Sequence, residues 1–202
     1  MSHPVPIVLA SRSPRRRQLL EEADWPVRIE VPDVDDGLLD CGDTPADEWV
    51  SALAVFKATA ATRMLEERGD RGPCLVLGAD TVCVLDGRII GQPPDREAAR
   101  ATLESFVGVP HDVLTGVCLI EHPGGARTVF VDRAVVRWGS IDSAQIEAYL
   151  DTEQWRGKAG AYNLADRVAD GWPIECEGDP TTVMGLPMQR LAAVLGDSVE
   201  TT

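Results

Sequence analysis

Two short stretches of this chain carry residue types that could do chemistry on a phosphorylated compound. The first is Leu9-Ala10-Ser11-Arg12-Ser13-Pro14-Arg15-Arg16-Arg17-Gln18-Leu19-Leu20. An apolar run leads into a helix start, with Ser13 as the cap and Pro14 at the first helical position. Free backbone N–H groups and the helix dipole favour an anion there. Yet the first turn carries arginines, which costs about 0.3–1 kcal/mol per charge unless an anion is present. Ser11 and Ser13 add hydroxyl donors, and Arg15 and Arg16 can grip phosphate with paired hydrogen bonds. The alternative is an exposed basic turn that pairs with an acidic loop; agreement of charge, cap and dipole favours phosphate binding.

The second stretch is Gly78-Ala79-Asp80-Thr81, set between the apolar runs Cys74–Leu77 and Val82–Leu85. A carboxylate between two strand-like runs must be paired, hydrogen-bonded or metal-bound. Asp80 therefore reads as a general base for water, as a ligand for a hard divalent cation, or as a structural aspartate held by backbone amides. Asp35-Asp36 is a second candidate for a hard metal, with a solvated turn as the alternative. Lys57 borders an apolar helical stripe, so its ammonium either enters a cleft or reaches water over the core. In Gly157-Lys158-Ala159-Gly160-Ala161-Tyr162 the small residues permit close approach of backbone to a ligand. Lys158 could meet phosphate and Tyr162 could line a base or sugar pocket; a tight packing site explains the pattern equally well.

The elements that must position these groups follow from periodicity and punctuation. Ile7–Ala10 and Val27–Val31 read as strands, with a helix after Ser13-Pro14. Thr44-Pro45 starts a second helix, with Thr44 as cap, and Trp49, Leu53, Phe56, Ala60 and Met64 give it an apolar stripe to about Glu67. Cys74–Leu77 and Val82–Leu85 are strands interrupted by the Gly-Ala-Asp-Thr segment, and Asp86-Gly87 turns the chain into Arg88–Ile90. Asp95–Phe106 is helical. Val113–Glu121 and Thr128–Trp138 form an antiparallel hairpin, and Asp142–Leu150 is a helix opened by an Asp142/Gln145 box. Ile174–Glu177 is a strand and Pro187–Leu195 a last helix. Glu177-Gly178-Asp179-Pro180 and Met184-Gly185-Leu186-Pro187 read as turn punctuation without chemistry. Helices mixed with hairpins predict an α/β fold with a mixed, elongated sheet flanked by helices, in one domain over residues 1–202.

Composition limits the function classes. The chain has 202 residues, 44% hydrophobic and 26% charged, which is ordinary globular composition. The formal net charge of −14 disfavours a broad nucleic-acid surface. Residues 1–20, by contrast, hold four arginines and no acidic residue, a small cationic spot suited to a compact anion. The five cysteines share no metal-finger spacing, and Cys83 and Cys118 read as buried thiols. No run is long enough to span a membrane and none reads as a signal peptide, so a reducing cytoplasm is expected. Neither a Walker-type phosphate loop nor a G-x-G-x-x-G fingerprint nor a G-x-S-x-G elbow occurs.

Taken in order, Ser11-Arg12-Ser13-Pro14-Arg15-Arg16, Asp35-Asp36, Lys57, Gly78-Ala79-Asp80-Thr81, Lys158-Ala159-Gly160-Ala161-Tyr162 and Gly185-Leu186-Pro187 resemble the Maf family of nucleoside triphosphate pyrophosphatases, once described as septum-formation inhibitors. The resemblance runs from Leu9 to Leu195. It implies a fold like that of inosine-triphosphate pyrophosphatases, often a homodimer, and cleavage between the α- and β-phosphates with Mg²⁺ or Mn²⁺. It implies that Ser11, Ser13, Arg15 and Arg16 hold the triphosphate and that Lys57 offsets its charge. Asp36 and Asp80 would hold the metal, with Asp80 activating water. Arg15 and Thr81 resemble the branch preferring dTTP and UTP, not the one preferring 7-methyl-GTP. Two positions depart from the family pattern: Gln92 stands where a lysine is usual before the proline, and Ala165 where pyrimidine-specific members carry a glutamine. A nucleotide-binding regulator without turnover, and a pyrophosphatase for a modified nucleotide, are the alternative expectations.

Overall fold

A computed structural model of the chain describes residues 5–33 and 39–197. Among these residues seven strands form one mixed sheet, in the order β2, β1, β3, β5, β6, β7, with β4 also paired to β3. The strands are β1 (Ile7–Leu9), β2 (Val27–Ile29), β3 (Cys74–Leu85), β4 (Arg88–Ile90), β5 (His111–His122), β6 (Arg127–Trp138) and β7 (Ile174–Glu177). β1 runs parallel to β2 and β3, and the other pairings are antiparallel. The helices are α1 (Pro14–Glu22), α2 (Ala46–Glu67), α3 (Arg96–Phe106), α4 (Ser143–Asp151), α5 (Leu164–Ala169), α6 (Pro180–Val183) and α7 (Met188–Asp197). None of the described helices is long and apolar enough to cross a membrane.

β3 is continuous where the sequence predicts an interruption. Gly78 pairs with Cys118 and Asp80 with Gly116 in an unbroken ladder with β5. The polar-looking segment stays in the strand because α2 lies directly over it. A Cβ on Gly78 would fall 2.3 Å from the Ala54 carbonyl oxygen and 2.7 Å from the Ala58 nitrogen, and one on Gly116 would fall 2.5 Å from the Val50 carbonyl oxygen. Here glycine serves close approach of a helix backbone to a sheet.

That approach also rotates α2 from its predicted orientation. Its buried face is Val50, Leu53, Ala54, Ala58, Ala61 and Leu65, rich in alanine, whereas Phe56 is 43% exposed. Large side chains do not fit between a helix and a sheet this close. Pro45 occupies the N-cap position of α2 and no side chain caps it, so the expected Thr44 cap is not formed. The Ser13 cap on α1 and the Asp142/Gln145 box on α4 are present as read from the sequence. The two helices that periodicity missed, α5 and α6, are short and are capped by Asn163 and Asp179. Asp86 and Gly87, both at positive φ, turn β3 into β4 as expected.

Side-chain alternation along the long strands divides the core. Leu77, Ala79, Val117 and Leu119 pack with Ile7, Leu9, Leu20 and Leu191 on the face covered by α1 and α7. Val76, Cys118 and Ile120 pack with Ala54, Ala58 and Leu65 on the α2 face. Farther along the same strands a third cluster gathers Phe106, Trp138, Tyr149, Leu150, Trp155 and Tyr162. Cys83 and Cys118 are free and buried, and burial pushes their thiols up to about 12 and about 11, so both are inert.

Candidate active site

The strand pairing leaves a gap along one edge of β3. β1 pairs with Leu75–Leu77 and β4 with Cys83–Leu85, so the residues between them have a strand neighbour only on the β5 side. A cleft of about 860 Å³ opens at this gap. It is bounded by the end of β1, the first turn of α1, Lys57 of α2, Asp80 and Thr81 of β3, and the segment from Arg156 to Asp166. Ligand sites commonly form where neighbouring strands diverge in this way.

Alternation along β3 decides what each side chain does there. Asp80 faces α2, where Lys57 lies within the sheet-facing stripe, and Lys57 Nζ donates to Asp80 Oδ1 at 2.6 Å. The two side chains are only 15% and 13% exposed, yet both line the cleft. The other oxygen of Asp80 receives no hydrogen bond from any described residue, so it can receive one from water.

Thr81 faces the opposite way, toward α1. Arg16 donates to the Gly185 carbonyl at 2.8 Å, to Ala79 carbonyl at 2.9 Å, to Thr81 Oγ1 at 3.1 Å and to Ser11 Oγ at 3.2 Å. Thr81 in turn bonds Thr115, which donates to the Thr182 carbonyl. Arg16, which the resemblance places on the triphosphate, and Thr81, which it places with the dTTP/UTP branch, both line the cleft. Their hydrogen bonds also tie α1, β3 and the loop before α7 together at its floor. Gly185, which the sequence reading left without chemistry, supplies one of the carbonyl anchors.

The remaining expected residues divide between the wall and the core. Ser11, Ser13, Arg12, Arg15, Gln92 and Lys158 line the cleft. The Ser13 hydroxyl accepts from the Arg16 backbone N–H, and the Ser11 hydroxyl from that of Ser13. Lys158 donates to the Gln154 carbonyl. Burial lowers its pKa, opposed by Asp166 and aided by Arg167 and Arg15; a bound anion would favour its charged form. Tyr162 touches the cleft but is 6% exposed, edge-on to Trp138 and hydrogen-bonded to His111 Nε2 at 2.9 Å. Ala165 is not among the lining residues. Asn163 and Asp166, three apart at the start of α5, share the face turned to the cleft, and position 165 does not. Asp166, given no role from sequence, forms an ion pair with Arg15 at 2.8 Å. No local sequence signal marks that pair, which spans 151 positions.

Asp36, the other expected metal ligand, lies outside the described residues. Among the described residues no group of three or more His, Cys, Asp or Glu side chains could hold a metal ion. Asp80 by itself is a single hard oxygen donor. That suits a Mg²⁺- or Mn²⁺-sized ion that draws its other ligands from phosphate oxygens and water.

Arg12, Arg15, Arg16, Lys57, Arg156 and Lys158 thus face Asp80 and Asp166 across one cleft of a protein whose net charge is −14. The arrangement can bind a short polyanion at the α1 end and direct one carboxylate at it.

The chain is 42% identical over 189 residues, 94% of each protein, to a dTTP/UTP pyrophosphatase of Pelotomaculum thermopropionicum. It is 38% identical to one of Symbiobacterium thermophilum, over 94% of this chain and 92% of the relative. It is 39% identical to one of Salinibacter ruber, over 94% and 89%. The model of the Maf-like protein family matches residues 6–198. With nearly its whole length accounted for by that match, the chain belongs to the Maf-like protein family.

Proposed function

We propose that this protein hydrolyses nucleoside triphosphates between the α- and β-phosphates, releasing a nucleoside monophosphate and pyrophosphate, with dTTP and UTP as its preferred substrates. The observation that carries the reading is the Lys57–Asp80 pair, held at 2.6 Å beside a cationic helix start inside one cleft. The pyrimidine preference is supported by the names of the relatives.

In this reading the triphosphate lies at the N-terminal end of α1, against Ser11, Arg12, Ser13 and Arg15, with Lys158 at its flank. Asp80 accepts a proton from a water placed in line with the α-phosphorus. The water oxygen forms the new P–O bond, and the bond to the bridging oxygen breaks with pyrophosphate as leaving group. Lys57 fixes the Asp80 carboxylate and offsets charge that gathers on the phosphoryl oxygens. Asp80 would hold a divalent cation, which would supply further charge neutralisation at the phosphates. Arg16 keeps the floor of the cleft in register. Gln92 contributes a neutral amide donor in place of a cation. The same reading includes a homodimer in the cytoplasm; the five free cysteines bear on the reducing compartment alone.

The test is pyrophosphate release from the common ribo- and deoxyribonucleoside triphosphates and from methylated ones, with Mg²⁺ and with Mn²⁺. Stoichiometric monophosphate and pyrophosphate, fastest from dTTP and UTP, is the expected result. Folded protein that binds these nucleotides without turnover would overturn it in favour of a non-hydrolytic nucleotide-binding role.

A further inference from the structure

The segment from Gln154 to Ala161 brings cations to the cleft but takes its shape from the core behind it. Arg156 and Lys158 line the cleft. Gly157, Gly160 and Ala161 all sit at positive φ, and for Ala161, at 65°, that conformation persists only where neighbours impose it. Two contacts impose the backbone path. The Tyr149 hydroxyl donates to the Ala161 carbonyl at 2.9 Å, and the Gly160 N–H donates to the Gly91 carbonyl at 3.0 Å.

Arg167 reaches the same segment from the third core cluster and is not among the cleft-lining residues. Its side chain is only 6% exposed. The guanidinium lies over the Tyr149 ring at 4.1 Å and beside Trp172 at 5.3 Å. It donates to Gln154 Oε1 at 3.0 Å and pairs with Asp170 at 2.8 Å. Gln154 in turn offers its backbone carbonyl to the Lys158 ammonium. One buried cation therefore touches Gln154 at the start of the segment and Tyr149, which holds its end.

Stability alone explains this arrangement poorly. A buried guanidinium loses hydration, and the Nε of Arg167 has no partner among the described residues. Asp170 is 58% exposed, so water weakens the pairing. An apolar side chain between Tyr149 and Trp172 would pack without those costs, but it could not bond Gln154. Arg167 also adds positive charge behind an anion site, and it is among the charges that lower the Lys158 pKa.

We infer that Arg167 is a positioning residue for polyphosphate binding: it clamps Gln154 and Tyr149 from the core and so fixes where Lys158 meets the bound phosphate chain. This rests on the triphosphate reading above and is independent of the base the nucleotide carries.

The test measures the affinity for inorganic tripolyphosphate by calorimetry without divalent ions, together with KM and kcat for UTP and dTTP. The variants are Arg167→Met, Gln154→Ala, Lys158→Ala, and the first two each combined with the third. Thermal melting establishes that each is folded. Arg167→Met and Gln154→Ala are expected to raise the tripolyphosphate Kd and the KM about fivefold while kcat changes less than about twofold, since a flank contact serves ground and transition state alike. In the Lys158→Ala background either change should cost less than about twofold, because the ammonium they place is gone. Losses as large in that background as in the unmodified protein would overturn the inference, as would a fall in kcat at unchanged KM. A loss confined to a folded Arg167→Met would overturn it too, leaving that residue a structural role. If Arg167→Met does not fold, Gln154→Ala decides alone, because Gln154 is exposed and its backbone carbonyl stays in place. Absence of turnover with every nucleotide would instead reject the hydrolytic reading, and the tripolyphosphate measurement would still decide on the clamp. A failure of the unmodified protein to bind tripolyphosphate as well would overturn both.

Discussion

Two charged side chains at the cleft, Asp80 and Arg16, differ in what their neighbours leave free. Asp80 keeps one oxygen unbonded by described residues, whereas Arg16 gives at least four hydrogen bonds to protein acceptors on three segments. Replacement of Asp80 should therefore affect chemistry, and replacement of Arg16 should affect architecture first. Asp80→Asn keeps shape and a hydrogen-bond acceptor for Lys57, and its turnover is expected to fall about a thousandfold with little change in melting temperature. Arg16→Ala leaves the Ala79 and Gly185 carbonyls and Thr81 without their partner. It is expected to lose about 3 kcal/mol of stability, seen as a lower denaturation midpoint, together with activity. If Arg16→Ala melted like the unmodified protein and lost only turnover, the guanidinium would act on substrate and not as an anchor.

At the scale of elements, the site depends on how closely α2 sits on β3 and β5. Gly78 and Gly116 permit that distance, and the distance in turn brings Lys57 within 2.6 Å of Asp80. A methyl group at Gly78 would meet backbone of α2 at 2.3 Å, so the helix must lift. Gly78→Ala is expected to destabilise the fold by about 3 kcal/mol or more, measured by urea unfolding. Catalysis should suffer even in the fraction that remains folded, because the Lys57–Asp80 separation grows. The sequence marked both residues as chemical candidates, but the spacing between them belongs to the helix–sheet packing alone.

The whole molecule carries its charges unevenly. The net charge of −14 repels long polyanions, while the cleft gathers six cationic side chains against two described carboxylates, so a short anion is drawn to one place. Stability has a separate electrostatic feature in the third core cluster. His111 is 2% exposed, stacked on Phe106 at 3.8 Å and bonded to Tyr162. Burial, outweighing the Val109 backbone and Asp112, lowers its pKa from 6.5 to about 4. A folded-state value below the unfolded one means that the neutral ring is favoured by folding. The contribution is complete above pH 6.5 and is lost as pH falls toward 4, in total about 3 kcal/mol. Most carboxylates titrate below pH ~4.5, so the interval from there to 6.5 isolates this effect. Unfolding free energy should fall with decreasing pH across that interval, and His111→Phe should flatten the slope; a slope unchanged in that variant would assign it to other groups.

The sequence by itself determined the local devices of this protein. Ser13-Pro14 starts α1, the Asp142/Gln145 box starts α4, Asp86-Gly87 turns β3 into β4, and the β5–β6 hairpin follows from two long apolar runs. Each depends on residues a few positions apart, whose preferences persist in the isolated segment. The list of chemical candidates was legible for the same reason, since Ser11, Arg15, Lys57, Asp80 and Lys158 all reach the cleft. What only the tertiary structure decided is which atoms are already engaged. Arg16 and Thr81 are held by carbonyls and hydroxyls far along the chain, Tyr162 is drawn into an aromatic core, and Asp166 finds Arg15 across 151 positions. The face that α2 buries was decided there too, because it depends on two glycines in strands it does not contact in sequence. Such pairings are set by the order of strands in the sheet and the distance of a helix above it. Neither quantity is local, so neither leaves a pattern in neighbouring residues.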